Sequence, residues 1–431
     1  MELSADIIIV GSGVGGTTIA KELAGGGKKI LIVEKGRYFS EKQLGSVING
    51  LQFYDRQGLR SKTKEGIFYY RTIMAGGTSV VSCANGVRSL EKKFKKMGID
   101  LRDEFRETEK ELAIKSVPNR YLGKGTKEII KAANSLGITM KPMPKFINFG
   151  KCIMCGNCYL GCNKEAKWSA LEYLKKAQKK GASLLTRIDV KRVIVSKGKA
   201  IGIECTNKIG LKIKLFAKII ILAAGGIETP IILQNSGIKA GRKLFLDLFN
   251  VTIGLTEDKG LTNEIPMAAI SNHKGFVLSP FIDNRFALAS TIPLPLRRNL
   301  KLTMHRKHML GIMVKIDDDS VGRVHKNGLI EKKVTPADKS KLNKGVRLSK
   351  KILIKAGVTP NTIITTKTRG AHPGGTAAIG EVVNKNLETK TQGLFVCDAS
   401  VLPVSPGVPP IVTIIALGKR LSKFLNKHYH F

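Results

Sequence analysis

The sequence predicts an α/β (α+β) fold in two interleaved parts. A Rossmann-like dinucleotide-binding domain opens the chain and returns at its end, and a mostly antiparallel β-sheet domain lies between. Three observations predict this. Residues 6–35 read strand, glycine turn, helix, strand in "DIIIV", "GSGVGG", "TTIAKELAGGG" and "KKILIVEK", the start of a βαβ unit. Residues 241–335 carry β-type segments such as "KGFVLSPF" and "HMLGIMVKI". Glycine-punctuated strand and helix signals then return in "RGAHPGGTAAIG" and "GLFVCDAS". The first domain is therefore expected at 1–240 and 369–431, with a cysteine-bearing insertion at 150–169, and the second at 241–368.

The elements follow in order. In "GSGVGG", Gly11 and Gly13 let the backbone turn tightly and approach a pyrophosphate, and Gly16 lets the helix pack on the strand. Glu34 ends the second strand, where its carboxylate is placed to accept a ribose hydroxyl. A second glycine loop, "MAGGTSVVSCANG", spans 74–86. A helix is expected at 124–137, and Ser169 is placed as the N-cap of another that runs to about Lys180. Alternating strands follow at 183–222, then a helix at 336–357. The last helix starts near Pro410, whose missing N–H costs nothing in a first turn.

Composition narrows the function classes. The 431 residues carry a formal charge of +40, mostly from lysine spread along the chain. Such a surface is either simply solvated or turned to an acidic partner. No aromatic-interleaved basic motif accompanies the charge, so nucleic acid is not expected. The longest apolar runs fall short of the ~20 residues of a membrane span, and residues 1–10 do not read as a secretory leader. A cytoplasmic protein without a transmembrane segment is expected. Seven cysteines, four of them within 152–162, do not read as a disulfide framework.

Three stretches carry a family resemblance: "AGGTSVVSCANGVR" (75–88), "AAGGIETPIILQNSGI" (223–238) and "AHPGGTAAIG…GLFVCDASVLPVSPGVPPIVTIIALGKRL" (371–421). In order and spacing they resemble the glucose–methanol–choline (GMC) flavin oxidoreductases across nearly the whole chain. The second stretch is close to one of that family's sequence signatures; the first departs from it at Ser82, where Asn is usual. The segment 318–358 looks like the branch of long-chain alcohol oxidases and sugar dehydrogenases. The resemblance implies FAD, an FAD-binding domain and a β-sheet substrate domain. It implies that Gly76, Gly77, Thr78 and Ser79 lie against the flavin nucleotide, that Asp398 lies by its ribityl and phosphate part, and that the helix N-terminus at Pro410 faces a reduced flavin.

The resemblance also implies a base. His372, in "HPGG", stands where the family's histidine faces the reacting carbon, and an imidazole of ordinary pKa ~6.5 suits proton removal from an alcohol near neutrality. The second polar residue of the family, His or Asn, is replaced by Pro409 in "GVPP", so either another residue substitutes, for instance from 241–335, or the chemistry has changed. His305 and His308 read as strand-flanking surface residues, Asp317, Asp318 and Asp319 as a turn, and Cys83 as a packed residue near the flavin loop.

Cys152, Cys155, Cys158 and Cys162 form C-x2-C-x2-C-x3-C. Zinc usually takes two separated C-x2-C knuckles; this run matches the bacterial ferredoxin ligand pattern. FAD-dependent sugar dehydrogenases of the same superfamily hold a three-iron cluster at C-x5-C-x3-C, which Cys152, Cys158 and Cys162 reproduce. With Cys155 the run could hold four irons (4Fe-4S), without it three (3Fe-4S). "CNKEAKWS" also resembles a stretch of cluster-free relatives, so unmetallated thiols stay open. The expectation is an FAD-dependent oxidoreductase of a CH–OH/C=O substrate, with an iron–sulfur cluster passing electrons to an acidic carrier such as ferredoxin. The alternatives are a ferredoxin-linked flavin reductase of a C=C or C=O bond and, more remotely, a non-enzymatic basic nucleic-acid-binding protein.

Overall fold

A computed structural model describes residues 3–50, 52–55, 61–257, 260–283, 288, 291–292 and 306–429. Apolar runs become the centre of a seven-stranded sheet. Its order is Ser183–Thr186, Ile30–Glu34, Leu3–Val10, Lys212–Leu222, Lys199–Asn207, Ile188–Ser196, with Leu394–Val396 also on Lys212–Leu222. Ile7 pairs with Ile30 on one side and Ile219 on the other, both in parallel. Ile7, Ile8 and Ile9 are fully buried, as are Ile220, Ile221 and Leu222. Parallel strands covered on both faces read as unbroken apolar runs, which is why "DIIIV" and "IIIL" were legible.

The strand Lys212–Leu222 joins the two ends of the chain. Its first half pairs antiparallel with Lys199–Asn207, and Ile220–Leu222 pair in parallel with Leu394–Val396. The C-terminal segment thereby re-enters the N-terminal sheet. The helix Ile411–His428 follows, with Pro410 as its N-cap residue rather than inside its first turn. It lies close against the helix Val14–Leu23, where a Cβ on Gly418 would sit 3.0 Å from Thr18 Cγ2.

The second sheet has nine strands. Its centre is Arg369–Gly370, Leu248–Leu255, Met309–Ile316, Phe276–Pro280 and Ala269–His273. Short strands far away in sequence extend it: Ser61–Lys62 and Phe68–Tyr69 at one edge, Lys141–Pro142 at the other. The helix Pro336–Lys355 opens with a capping box between Thr335 and Asp338. It packs so closely that a Cβ on Gly345 would come 2.2 Å from Val314 Cγ1. Strand alternation sends Val314 towards this helix and its neighbours Met313 and Lys315 to the opposite face, where a cleft separates the two sheets.

Candidate active site

The cleft has a volume of about 370 Å³. Both glycine loops, the carboxyl ends of the parallel strands and one face of the second sheet line it, the place where open α/β sheets hold ligands.

At the nucleotide end, Gly11 has φ 101° and its backbone runs so near Ala223 that a Cβ would meet the carbonyl oxygen at 2.4 Å. Gly13 lines the cleft with open space where a Cβ would point. Gly16 lies outside the cleft wall, packed on Gly11 O, as helix-on-strand packing requires. Gly15, which the motif reading passed over, is the tightest of these: a Cβ there would sit 1.7 Å from Cys397 O. The helix start is thus pressed against the strand that carries Asp398.

Glu34 Oε2 accepts hydrogen bonds from Ser12 N and Oγ, and Oε1 accepts from Gly36 N at 2.7 Å. Burial pushes its carboxyl pKa up, and the Ser12 and Gly36 hydrogen bonds oppose the shift. Ser12 Oγ also accepts from Gly76 N, which ties the first glycine loop to the second. Gly76 is left-handed at φ 83° and lies behind the wall, whereas Gly77 and Thr78 line it. Ser79 lines it too, with its hydroxyl committed to Gly76 O and Ala170 N. Asp398 accepts from Gly225 N, Thr229 Oγ1 and Ser400 N within 2.6–2.8 Å.

Two buried lysines fix the second glycine loop. Lys167 Nζ donates to Val80 O, Ser82 O and Cys158 O. Lys145 Nζ donates to Cys83 O, Asn85 Oδ1 and Pro266 O, and burial lowers its pKa to about 8. Cys83, expected to pack, lines the cleft; burial pushes its thiol pKa up, opposed by the charges of Lys145, Lys167 and Lys315.

His372 also lines the cleft. Its Nδ1 lies 2.8 Å from Asp247 Oδ2. Asp247 is fully buried, and its Oδ1 accepts from Ser405 Oγ at 2.6 Å and Gly407 N at 3.2 Å. Ser405 Oγ is also 3.0 Å from Asp318 Oδ1, and Asp318 is ion-paired to Lys332 at 2.8 Å with both side chains fully buried. The expected aspartate turn therefore contains a buried member whose cation is the protein's own lysine. With Asp247 holding the Nδ1 proton, Nε2 is left as the acceptor. Burial, then the Lys315 charge, push the imidazole pKa below its usual value, with Asp247 opposing.

Asp247, Ser405 and Lys315 were not singled out in the sequence. The available signal was a lone charge in an apolar run, in "LFLDLFN" and "LGIMVKI". Pro409 and Pro410 both line the cleft, as does His372.

Among the described residues no group of three or more His, Cys, Asp or Glu side chains is placed to hold a metal ion. Cys155 is exposed, while Cys158 lies among Lys167, Cys83, Lys145 and Cys152. The backbone turns left-handed at Met154, Gly156 and Gly161. As placed, the four cysteines do not fit an iron–sulfur cluster. His308 is exposed, with Nδ1 against Glu257 O; His305 lies outside the described residues.

Family models of GMC oxidoreductases match this chain at residues 5–258 (N-terminal model) and 320–418 (C-terminal model). The chain belongs to the GMC oxidoreductase family. An uncharacterized protein of Methanocaldococcus jannaschii is 35% identical over 96% of this chain and 98% of its own length. A long-chain-alcohol oxidase of Arabidopsis thaliana is 25% identical over 99% of this chain and 68% of its own. Among solved structures, pyridoxine 4-oxidase from Mesorbium loti superposes with TM-score 0.74 at 17% identity, covering 99% of this chain and 100% of that one. Formate oxidase from Aspergillus oryzae gives 0.77 at 15%, covering 99% of each chain.

As a GMC oxidoreductase the chain is an enzyme of the family's FAD-dependent chemistry, and its residues fit that cofactor. Gly13 and Gly225 border the cleft with nothing within 4 Å of a notional Cβ. Glu34 ends its strand beside them, and the N-terminal residues Ile411 and Ile414 of the last helix face the same space. Among the described residues no helix is long and apolar enough to cross a membrane.

Proposed function

We propose that this chain oxidises the carbinol carbon of a small-molecule alcohol to a carbonyl, with FAD bound in the cleft. Gly11, Gly13, Gly77, Thr78, Glu34 and Asp398 would hold the nucleotide, with Gly16, Gly76 and Ser79 shaping its walls. FAD, when bound, supplies the two-electron acceptor for the hydride that leaves the carbinol carbon. His372 Nε2 takes the hydroxyl proton.

The contact between Asp247 Oδ2 and His372 Nδ1 carries this reading. It fixes the tautomer whose free nitrogen is a base, and the lowered imidazole pKa keeps that base neutral at pH 7. Tyr54, Tyr70, Phe249, Met267 and Met313 give the substrate end an apolar wall. Anaerobic addition of a panel of primary and secondary alcohols to the FAD-loaded enzyme is expected to bleach the flavin with at least one of them. Bleaching by none, together with oxidation of pre-reduced flavin by an enone or ketone, would instead establish the reductase.

A finer proposal concerns the fate of the electrons. The spacing of the cysteine run, and the coupling of the Cys152 thiol to those of Cys155 and Cys162, favour a cluster serving an acidic carrier such as ferredoxin, which the net charge of +40 would suit. The placement of Cys155 and Cys158 stands against it, and no step is derived through it. Iron and acid-labile sulfide in anaerobically purified protein decide the matter: three or four irons per chain support the cluster, and FAD without iron removes it.

A further inference from the structure

Lys315 is 2% exposed and lies on the strand Met309–Ile316 with its side chain at the cleft. Its Nζ is 3.4 Å from His372 Nδ1. That nitrogen already gives its proton to Asp247, so it accepts nothing from the ammonium. Among the described residues no other acceptor lies within hydrogen-bond reach of Lys315 Nζ, and no carboxylate lies within ion-pair distance. The contrast with the other buried cations is sharp. Lys145 and Lys167 each have three acceptors, Lys332 has Asp318, and Arg369 makes a two-pronged pair with Asp283. A buried cation left without acceptors is costly unless a ligand supplies them.

We propose that Lys315 is a further catalytic residue that holds the substrate's reacting oxygen, in the role left empty by Pro409. The inference rests on the alcohol-oxidising reading above. The proposal places one substrate oxygen within hydrogen-bond distance of both His372 Nε2 and Lys315 Nζ, whose ammonium lies 3.4 Å from the other nitrogen of the same ring. In the step, the O–H proton passes to His372 and the C–H hydride to the bound FAD. Lys315 keeps its protons and donates a hydrogen bond to the oxygen as charge builds on it, then to the carbonyl. Asp247 lies near both groups, so one carboxylate orients the base and steadies the ammonium. The second polar group of the site thus comes from the substrate sheet instead of the loop before the last helix.

The test uses FAD-loaded wild type, Lys315→Met and Lys315→Gln, with FAD content and melting temperature as controls for folding. Benzoate, an apolar ring with one oxyanion, is titrated against the oxidised flavin spectrum. Its Kd is expected to rise about 10-fold or more in Lys315→Met, the loss of one charge-assisted hydrogen bond. Flavin reduction by an alcohol that reduces wild type is expected to slow by a similar factor, and its loss of rate at high pH to disappear. Unchanged benzoate affinity overturns the proposal. So does weakened benzoate binding with an unchanged reduction rate, which would assign Lys315 to a substrate carboxylate. If no alcohol reduces wild type, the reading of the reaction fails, and the benzoate titration still reports on Lys315.

Discussion

Replacing His372 by Asn leaves FAD bound and slows anaerobic flavin reduction by about 10²–10⁴-fold, the usual worth of a positioned general base. Asn keeps a polar contact to Asp247 but offers no basic nitrogen. The side-chain contacts of His372 are to Asp247 and Lys315, neither of them assigned to the nucleotide, so the visible flavin spectrum and FAD content stay near wild type. The pH profile gives an independent sign. The imidazole pKa is lowered from 6.5 by burial and by Lys315, so the base is in its working, neutral form above that lowered value. On the acid side the wild-type reduction rate therefore falls as pH drops through a pKa below 6.5, and in His372→Asn that acid limb is lost. Stopped-flow absorbance across pH 5–8 reads both.

Replacing Lys332 by Met costs about 3–5 kcal/mol of stability, the penalty for leaving a buried charge without its partner. Lys332 Nζ sits 2.8 Å from Asp318 Oδ2 and 3.9 Å from Asp338 Oδ2, with all three side chains fully buried. Asp318 also accepts from Leu246 N and Leu248 N, so it holds the backbone on both sides of Asp247. The variant melts well below wild type, measured by circular dichroism. The double variant Lys332→Met, Asp318→Asn recovers part of the loss, because it removes the stranded charge. Recovery would not occur if the lysine acted only by filling space.

The fold was legible where burial writes a pattern. Parallel strands with both faces covered gave "DIIIV" and "IIIL", and glycine turns marked where backbone passes backbone, as at Gly11 against Ala223. The edges of the second sheet were not legible. Ser61–Lys62 and Phe68–Tyr69 are two-residue strands with no period to read; they pair with each other, and Phe68–Tyr69 joins the sheet through Arg369–Gly370, far along the chain. The base was legible by resemblance, but its support was not. Asp247 and His372 are 125 residues apart, and Lys315 and His372 57 apart. A charge inside an apolar run announces burial; only the folded chain names its partner. The cysteine run shows the converse. Its spacing is that of a ligand set, yet among the described residues no three of its thiols are placed to share a metal ion, and Lys167 draws the Cys158 carbonyl towards the loop at Val80 and Ser82.

The central claim is that His372 removes a proton from an alcohol whose carbinol hydrogen leaves as hydride. Single-turnover flavin bleaching, with a substrate alcohol and the same alcohol deuterated at the carbinol carbon, tests it most directly. The account predicts bleaching that is slower with the deuterated alcohol in wild type and nearly absent in His372→Asn. A flavin that no alcohol reduces, or one reduced equally fast by His372→Asn, would contradict it.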